Sequence, residues 1–247
     1  MLGAQRKDHL LALLVKDGRV VAKDVAVDLE VSEDSIRRDL RELADAGLCV
    51  RVYGGALPVP AAEAPVAQRS TVATDSKERV ARAAVALIHP GSTIILDAGT
   101  TTLAMARMLP QDPSLTVITP SPAVAVAVAE HSPARVLIVG GEVSRHSLVA
   151  GGALALEAIA RLGADAFFLG VTGIHPDHGL TTGVLDDAVV KRALAARSAD
   201  VYVLGSAEKI GAASRFPVVG LDEVSGIVTD PEDASVLAEQ WRRDSTT

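Results

Sequence analysis

"VSEDSIRRDL" occupies residues 31–40 and sets two carboxylates and two serines just ahead of an arginine pair. Ser32 suits a helix N-cap, because its hydroxyl can accept from the free amides of the next turn. Glu33 and Asp34 then fall in the first turn, where the helix dipole favours negative charge. Ile36, Leu40 and Leu43 follow at i, i+4 and i+7, a buried stripe that stops at Gly47. The acids thus start the helix, and Ser35, Arg37, Arg38 and Arg41 lie off the buried stripe.

Two shorter helices precede it. Residues 6–16, "RKDHLLALLVK", carry Leu10, Leu13 and Leu14 at helical spacing and end at Gly18. Residues 23–30, "KDVAVDLE", place Val25 and Leu29 inward. After the third helix, "LCVRVYGGALP" (48–58) alternates and turns at Gly54-Gly55, the pattern of a β-hairpin. Three short helices and a hairpin predict a winged helix-turn-helix. In that motif the second helix of the turn enters the major groove of duplex DNA, and its early residues reach base edges. The guanidinium fork matches O6 and N7 of guanine. Candidate DNA contacts are therefore Ser32, Ser35, Arg37, Arg38 and Arg41 on the helix, with Arg51 and Tyr53 on the hairpin. The competing reading is a solvated helix face with i,i+4 pairs such as Arg38–Glu42 or Arg41–Asp45.

Charge constrains this reading. The 247 residues carry a formal net charge of -7. Residues 1–57 hold nine basic and ten acidic side chains, and residues 58–247 hold fifteen and twenty-one. No strongly basic domain exists; only the face with Arg37, Arg38, Arg41 and Arg51 is locally basic. Phosphate neutralisation drives non-specific binding, so a specific, dimeric site is expected to dominate.

Hydrophobic content of 49% supports a sizeable core, and 2% aromatics means that Ala, Val, Leu and Ile build it. Cys49 is the single cysteine, which excludes an intramolecular disulfide and fits a reducing cytoplasm. The apolar run at the start is too short for a signal peptide and is interrupted by acids. "VITPSPAVAVAVAE" is broken by Pro120 and Pro122 and is too short to span a bilayer. A cytoplasmic protein without membrane contact is expected.

Residues 58–74, rich in Pro and Ala and poor in periodicity, read as a linker between a 1–57 DNA-binding domain and a 75–247 domain. A helix is predicted over 75–88. Beyond it, buried-strand runs at 92–97, 115–119, 134–140, 164–170, 199–205 and 225–230 alternate with helical stretches at 101–109, 121–130, 151–162 and 186–198. That order predicts an α/β domain with a mainly parallel sheet covered on both faces.

"ILDAGTTTLAMARML" reads as strand, glycine loop and helix. Gly99 lets backbone amides approach a ligand, and Thr100, Thr101 and Thr102 supply hydroxyls at a helix N-terminus, a physical anion site. A threonine-capped helix with no ligand explains the same spacing. The loop is neither a Walker A loop nor a GxGxxG fingerprint, so no nucleotide cofactor is expected. Further candidates cluster at carboxyl strand ends, where open α/β sheets hold ligands: Gly141, Gly173, Thr181, Asp186, Lys191 and Lys209. "HPDH" (His175–His178) offers two imidazoles with no clear third ligand, a polar turn rather than a metal site. His146 beside Arg145 could be an anion contact or part of a surface loop.

The N-terminal segment resembles the DNA-binding domain of the DeoR/GlpR family of bacterial repressors. Arg6, Leu10, Leu14 and, after a gap of 17 residues, "SEDSIRRDL" follow the family pattern, and "RVYGGA" is similar to its "R-x-HGGA" wing. Ser35 replaces a usual Thr and Tyr53 a usual His. Residues 75–240 resemble the family's sensor domain, itself similar to ribose-5-phosphate isomerase and glucosamine-6-phosphate deaminase. The resemblance implies a repressor that binds operator double-stranded DNA as a homo-oligomer and senses a phosphorylated sugar or related metabolite. It carries Asp97 and the Gly99–Thr102 loop over as the phosphate cradle. Pro120, Gly205 and Ala207 depart from the family's Asn, Asp and His, which puts the usual sugar ligand in question. The isomerase likeness raises an alternative, a sugar-phosphate isomerase-like enzyme using Asp97, Asp186 or Asp187 with Lys209. No catalytic motif of those enzymes is evident, so a non-enzymatic regulator is expected.

Overall fold

Leu10, Leu14, Val25, Ile36, Leu40 and Leu43 meet in one apolar cluster, which assembles the N-terminal domain. They lie on α1 (Gly3–Asp17), α2 (Ala22–Asp28) and α3 (Glu33–Asp45). The computed structural model describes residues 2–64, 66–69, 71–230 and 234. A short β1 (Val20–Val21), not foreseen in the sequence, pairs with the hairpin of β2 (Val50–Val52) and β3 (Gly55–Leu57). The wing is thus a three-stranded antiparallel sheet in the order β1-β3-β2. Gly55 is required there, because a Cβ would fall 1.8 Å from the Val20 carbonyl oxygen. Cys49 is fully buried under α3, with Sγ 3.7 Å from the Leu40 carbonyl oxygen.

Two ion pairs bind α1 to α3. Arg6 and Asp39, both buried, pair side by side, and Lys7 reaches Glu42 at 2.8 Å.

The 58–74 stretch is more ordered than its composition predicts. It holds a 3-10 turn at Ala61–Glu63 and a one-turn helix, α4 (Val66–Arg69). After it, α5 (Thr74–Val85) and β4 (Thr93–Leu96) open the second domain. The chain continues through α6 (Thr100–Arg107), β5 (Thr116–Thr119), α7 (Pro122–His131) and β6 (Arg135–Ile138). A small hairpin of β7 (Glu142–Val143) and β8 (Ala150–Gly151) leads to α8 (Gly152–Ile159) and β9 (Ala164–Gly170). Then follow β10 (Gly173–His175), β11 (Gly179–Thr182), α9 (Leu185–Ala195) and β12 (Ser198–Gly205). Last come a 3-10 turn at Ala207–Lys209, β13 (Phe216–Pro217) and β14 (Gly226–Thr229).

The main sheet is six-stranded and all parallel, ordered β14-β12-β9-β4-β5-β6. Alternation along each strand feeds both faces. Ile95, Phe167, Val201 and Val203 pack with α8 and α9, while Ile94, Leu96, Phe168 and Leu204 pack with α5, α6 and α7. The chain winds outward from β4 to β6, then returns to place β9 on the other side of β4. Such a reversal opens a crevice at the carboxyl ends of the two strands. A second sheet, β10-β11-β13, covers that end. Among the described residues no helix is long and apolar enough to cross a membrane.

Candidate functional site

Two regions concentrate the predicted site residues. The first is the outer face of α3 with the wing. Ser32 caps α3, its Oγ accepting from the Ser35 amide at 3.3 Å. The Ser32 and Ser35 hydroxyls are also bonded to each other at 2.9 Å. Arg37, Arg38 and Arg41 are exposed on one side of the helix, opposite buried Ile36, Leu40 and Leu43. The i,i+4 pairs weighed for this face do not form. Glu42 turns instead to Lys7, and Arg37 bonds back to Glu33 at 2.7 Å. Arg38 and Arg41 make no ion pair among the described residues. Arg51 is exposed on β2, and Tyr53 stands fully exposed at the hairpin tip. All of these guanidinium groups and the Tyr53 ring are exposed, in a domain of nearly balanced charge.

The second region is a cleft of about 650 Å³, open mouth included, above the carboxyl ends of β4 and β9. Gly99 starts α6 with φ of 141°, a conformation that excludes most other residues. That turn directs Thr100, Thr101 and Thr102 at the cleft. The Thr102 hydroxyl donates to the Gly99 carbonyl oxygen at 2.9 Å. Thr101 is 3% exposed, and its Oγ1 has no hydrogen-bond partner among the described residues. Lys191 and Lys209, both buried, also line the cleft.

The electrostatics separate these two lysines. Lys191 is hydrogen-bonded to Asp97 and lies 3.4 Å from Asp187. Burial opposes its charge, but the two carboxylates together raise its pKa. Among the described residues Lys209 donates only to the Leu204 carbonyl oxygen, at 3.0 Å. Burial pushes its pKa down to about 8, with Glu208 opposing and Arg69 adding to the fall. An anion entering the cleft would therefore meet Lys209 rather than Lys191 as the cation in need of a partner.

Several expected contacts lie elsewhere. Asp97 is fully buried behind the loop and is not a cleft wall; its oxygens accept from the Ala98 amide at 2.8 Å, the Gly170 amide at 2.9 Å and Lys191. Burial raises its pKa against the pull of Lys191. Asp186 is exposed and outside the cleft; Asp187, one residue on and about 100° around α9, takes that place. Thr181 faces away along β11 and accepts from the Ser214 amide at 2.8 Å. Thr182 faces in and donates to Asp187 at 2.7 Å. Gly141 and Gly173 serve backbone packing, since a Cβ would fall 2.4 Å from the Gly151 carbonyl oxygen or 2.3 Å from that of Ala212. Gly205 sits under Ile174 and Ile227, 2.9 and 3.1 Å from a built Cβ, so an aspartate there would require repacking.

The sequence reading missed Glu63 and Arg69 as cleft walls. Both come from the stretch read as linker. His146, weighed as an anion contact, lines the rim. The His175 and His178 rings lie against each other, tilted by 33° with centroids 4.6 Å apart, in the β10–β11 turn. Among the described residues no cluster of three metal-ligating side chains occurs.

Comparison with known proteins bears on both regions. Residues 6–59 match the family model for the DeoR-like helix-turn-helix domain, and residues 72–231 match that for the DeoR C terminal sensor domain. The HTH-type transcriptional regulator GlpR of Haloferax volcanii is 34% identical, over 93% of this chain and 91% of its own. The glycerol-3-phosphate regulon repressor of Escherichia coli is 32% identical, over 96% and 95%. The HTH-type transcriptional repressor GlcR of Bacillus subtilis is 29% identical, over 93% and 89%. Among solved structures, ribose 5-phosphate isomerase A of Methanocaldococcus jannaschii aligns over 56% of this chain and 54% of its own, with TM-score 0.41 and 16% identity.

Proposed function

Because this chain belongs to the DeoR family of DNA-binding transcriptional regulators, we propose that it represses a carbohydrate or polyol catabolic operon under the control of a phosphorylated metabolite. Residues 1–57 read the operator, 75–247 bind the effector and hold the homo-oligomer together, and 58–74 join them. On DNA, Arg38, Arg41 and Arg37 present guanidinium forks to the major groove. Ser32 and Ser35 support the helix start, and Arg51 and Tyr53 follow the backbone. In the cleft, the Gly99–Thr102 turn takes the phosphate and Lys209 answers its charge. Asp97 and Lys191 hold the loop from behind.

One observation carries the effector reading. The Thr101 hydroxyl is buried at a helix N-terminus without a partner among the described residues, in the same cleft as the Lys209 ammonium, whose pKa burial has lowered. Both features disfavour an empty cleft and are relieved by an anion. The names of the relatives agree in class: one is a repressor of a glycerol-3-phosphate regulon. These relatives are regulators rather than enzymes over more than nine-tenths of this chain.

The test combines operator titration with a thermal-shift panel of sugar and polyol phosphates. The full-length protein is expected to prefer its own promoter fragment over random duplex. A ligand at 100 times its Kd adds about 2.7 kcal/mol of stability. The same ligand must then change operator affinity. No promoter preference at any ligand level and modest salt would overturn the regulator assignment for this site.

A further inference from the structure

The stretch between the two domains places two charged side chains in the cleft, Glu63 from the 3-10 turn and Arg69 at the end of α4. The Arg69 Nε is buried and reaches no acceptor among the described residues. The carboxylates close enough to affect it are Asp187, Glu208 and Asp97, and burial still outweighs them. Asp97 and Asp187 pair with Lys191, and Glu208 with Lys77 at 3.6 Å, while Asp187 Oδ1 and Glu208 Oε2 accept no hydrogen bond among the described residues. A guanidinium is a planar fork of donors with no acceptor of its own. In the same cleft, the Thr101 hydroxyl is likewise buried and has no partner among the described residues. Unsatisfied donors converging on one space are complementary to a shared oxyanion.

Glu63 supplies the opposite chemistry. Its Oε1 is buried without a partner among the described residues, and its side chain packs so closely on Gly183 that a Cβ there would fall 3.2 Å away. An ionised carboxylate only accepts, so it suits a ligand hydroxyl.

We propose that Arg69 and Glu63 are ligand-contacting residues of this cleft. Arg69 joins the Gly99–Thr102 turn on the anionic group of a phosphorylated polyol or sugar, and Glu63 accepts from a hydroxyl of the same molecule. This rests on the effector reading above. It also supplies a route to DNA. Arg69 lies twelve residues after Leu57, the last residue of the wing. Its carbonyl oxygen is already fixed by Lys77 Nζ at 2.8 Å. A ligand held by Arg69 therefore fastens the strap that carries the DNA-binding domain.

The experiment uses the full-length protein, isothermal titration and deuterium exchange, with inorganic phosphate and glycerol 3-phosphate as probes. Arg69→Gln is expected to weaken both probes about tenfold or more, as loss of a charge-assisted contact does. Its unliganded melting temperature should stay level or rise, since a desolvated charge is removed. Glu63→Gln should weaken glycerol 3-phosphate and spare inorganic phosphate. Adding either probe should slow exchange across residues 58–74 in the parent, and not in Arg69→Gln. Parent-level affinity in Arg69→Gln, with loss in Thr101→Val, overturns the role of Arg69 and leaves the cleft standing. Failure of the parent to bind either probe overturns the effector reading and this inference with it. Equal loss of both probes in Glu63→Gln overturns the hydroxyl assignment. Should Arg69→Gln not fold, Arg69→Lys decides: several-fold weakening supports the planar fork, and unchanged affinity overturns it.

Discussion

Arg215 donates from Nη2 to the carbonyl oxygen of Ala44 at 3.0 Å, joining residues 171 positions apart. Ala44 lies in the last turn of α3, where free carbonyls and the negative end of the helix dipole favour a cation. Arg215 directly precedes β13, which pairs with β11, and β11 carries the cleft residue Thr182. The helix proposed to face DNA is therefore tied to a strand next to the cleft wall. Arg215→Ala is expected to preserve phosphate affinity and to reduce the ratio of operator Kd values with and without ligand, by up to about tenfold. Measuring that ratio in both proteins checks it. An unchanged ratio would assign the bond to domain packing alone.

The arginines of α3 should not be equivalent. Arg38 and Arg41 make no ion pair among the described residues, whereas Arg37 must first leave Glu33. Arg38→Ala is expected to lower operator affinity by about 1–3 kcal/mol if it reads a base bidentately. Arg37→Ala should cost less, because the ion pair it forfeits offsets part of its gain on DNA. Titrations against operator and random duplex separate base from phosphate contact. A loss that is uniform across sequences, with a salt slope reduced by about one, means phosphate.

Lys209 makes ligand affinity depend on pH. With its pKa near 8, the side chain is protonated below that point and neutral above it. Affinity for a phosphate ester should hold from pH 7 to 8, then fall by up to about tenfold per pH unit. Lys209→Met should be weaker throughout and flat over that window. The unliganded protein should show the opposite slope. The unfolded chain keeps this proton up to about pH 10.4, so it binds more protons than the folded state between 8 and 10.4, and stability rises with pH there.

Lys191 is a structural cation. Replacing it with Met strands Asp97 and Asp187, both buried, without their shared partner. The expected loss is about 3–5 kcal/mol, read by denaturant titration. Adding Asp97→Asn should recover part of it. If the single variant is as stable as the parent, the pair does not hold the loop.

Sequence pattern exposed the DNA-facing half because each signal there is local. The Ser32 cap, the acids after it and the spacing of Ile36, Leu40 and Leu43 fix α3 and which side faces out. The six parallel strands were legible for a similar reason, since each is a continuous apolar run between turns. The cleft was legible only where a motif pointed at it, in the Gly99–Thr102 turn, Lys191 and Lys209. Asp186 was chosen over Asp187 because periodicity does not fix helix rotation to one residue. Glu63 and Arg69 escaped because a one-turn helix in a Pro- and Ala-rich stretch leaves no periodic trace. Their placement depends on contacts with Gly183 and Lys77, far along the chain.

The lone sulfhydryl gives the molecule an internal reporter. Cys49 is sealed beneath α3, and burial raises its pKa, so a thiol-reactive dye finds it only when the N-terminal domain opens. Labelling kinetics thus isolate the opening of one domain in the intact protein, with no engineered residue and no signal from the other.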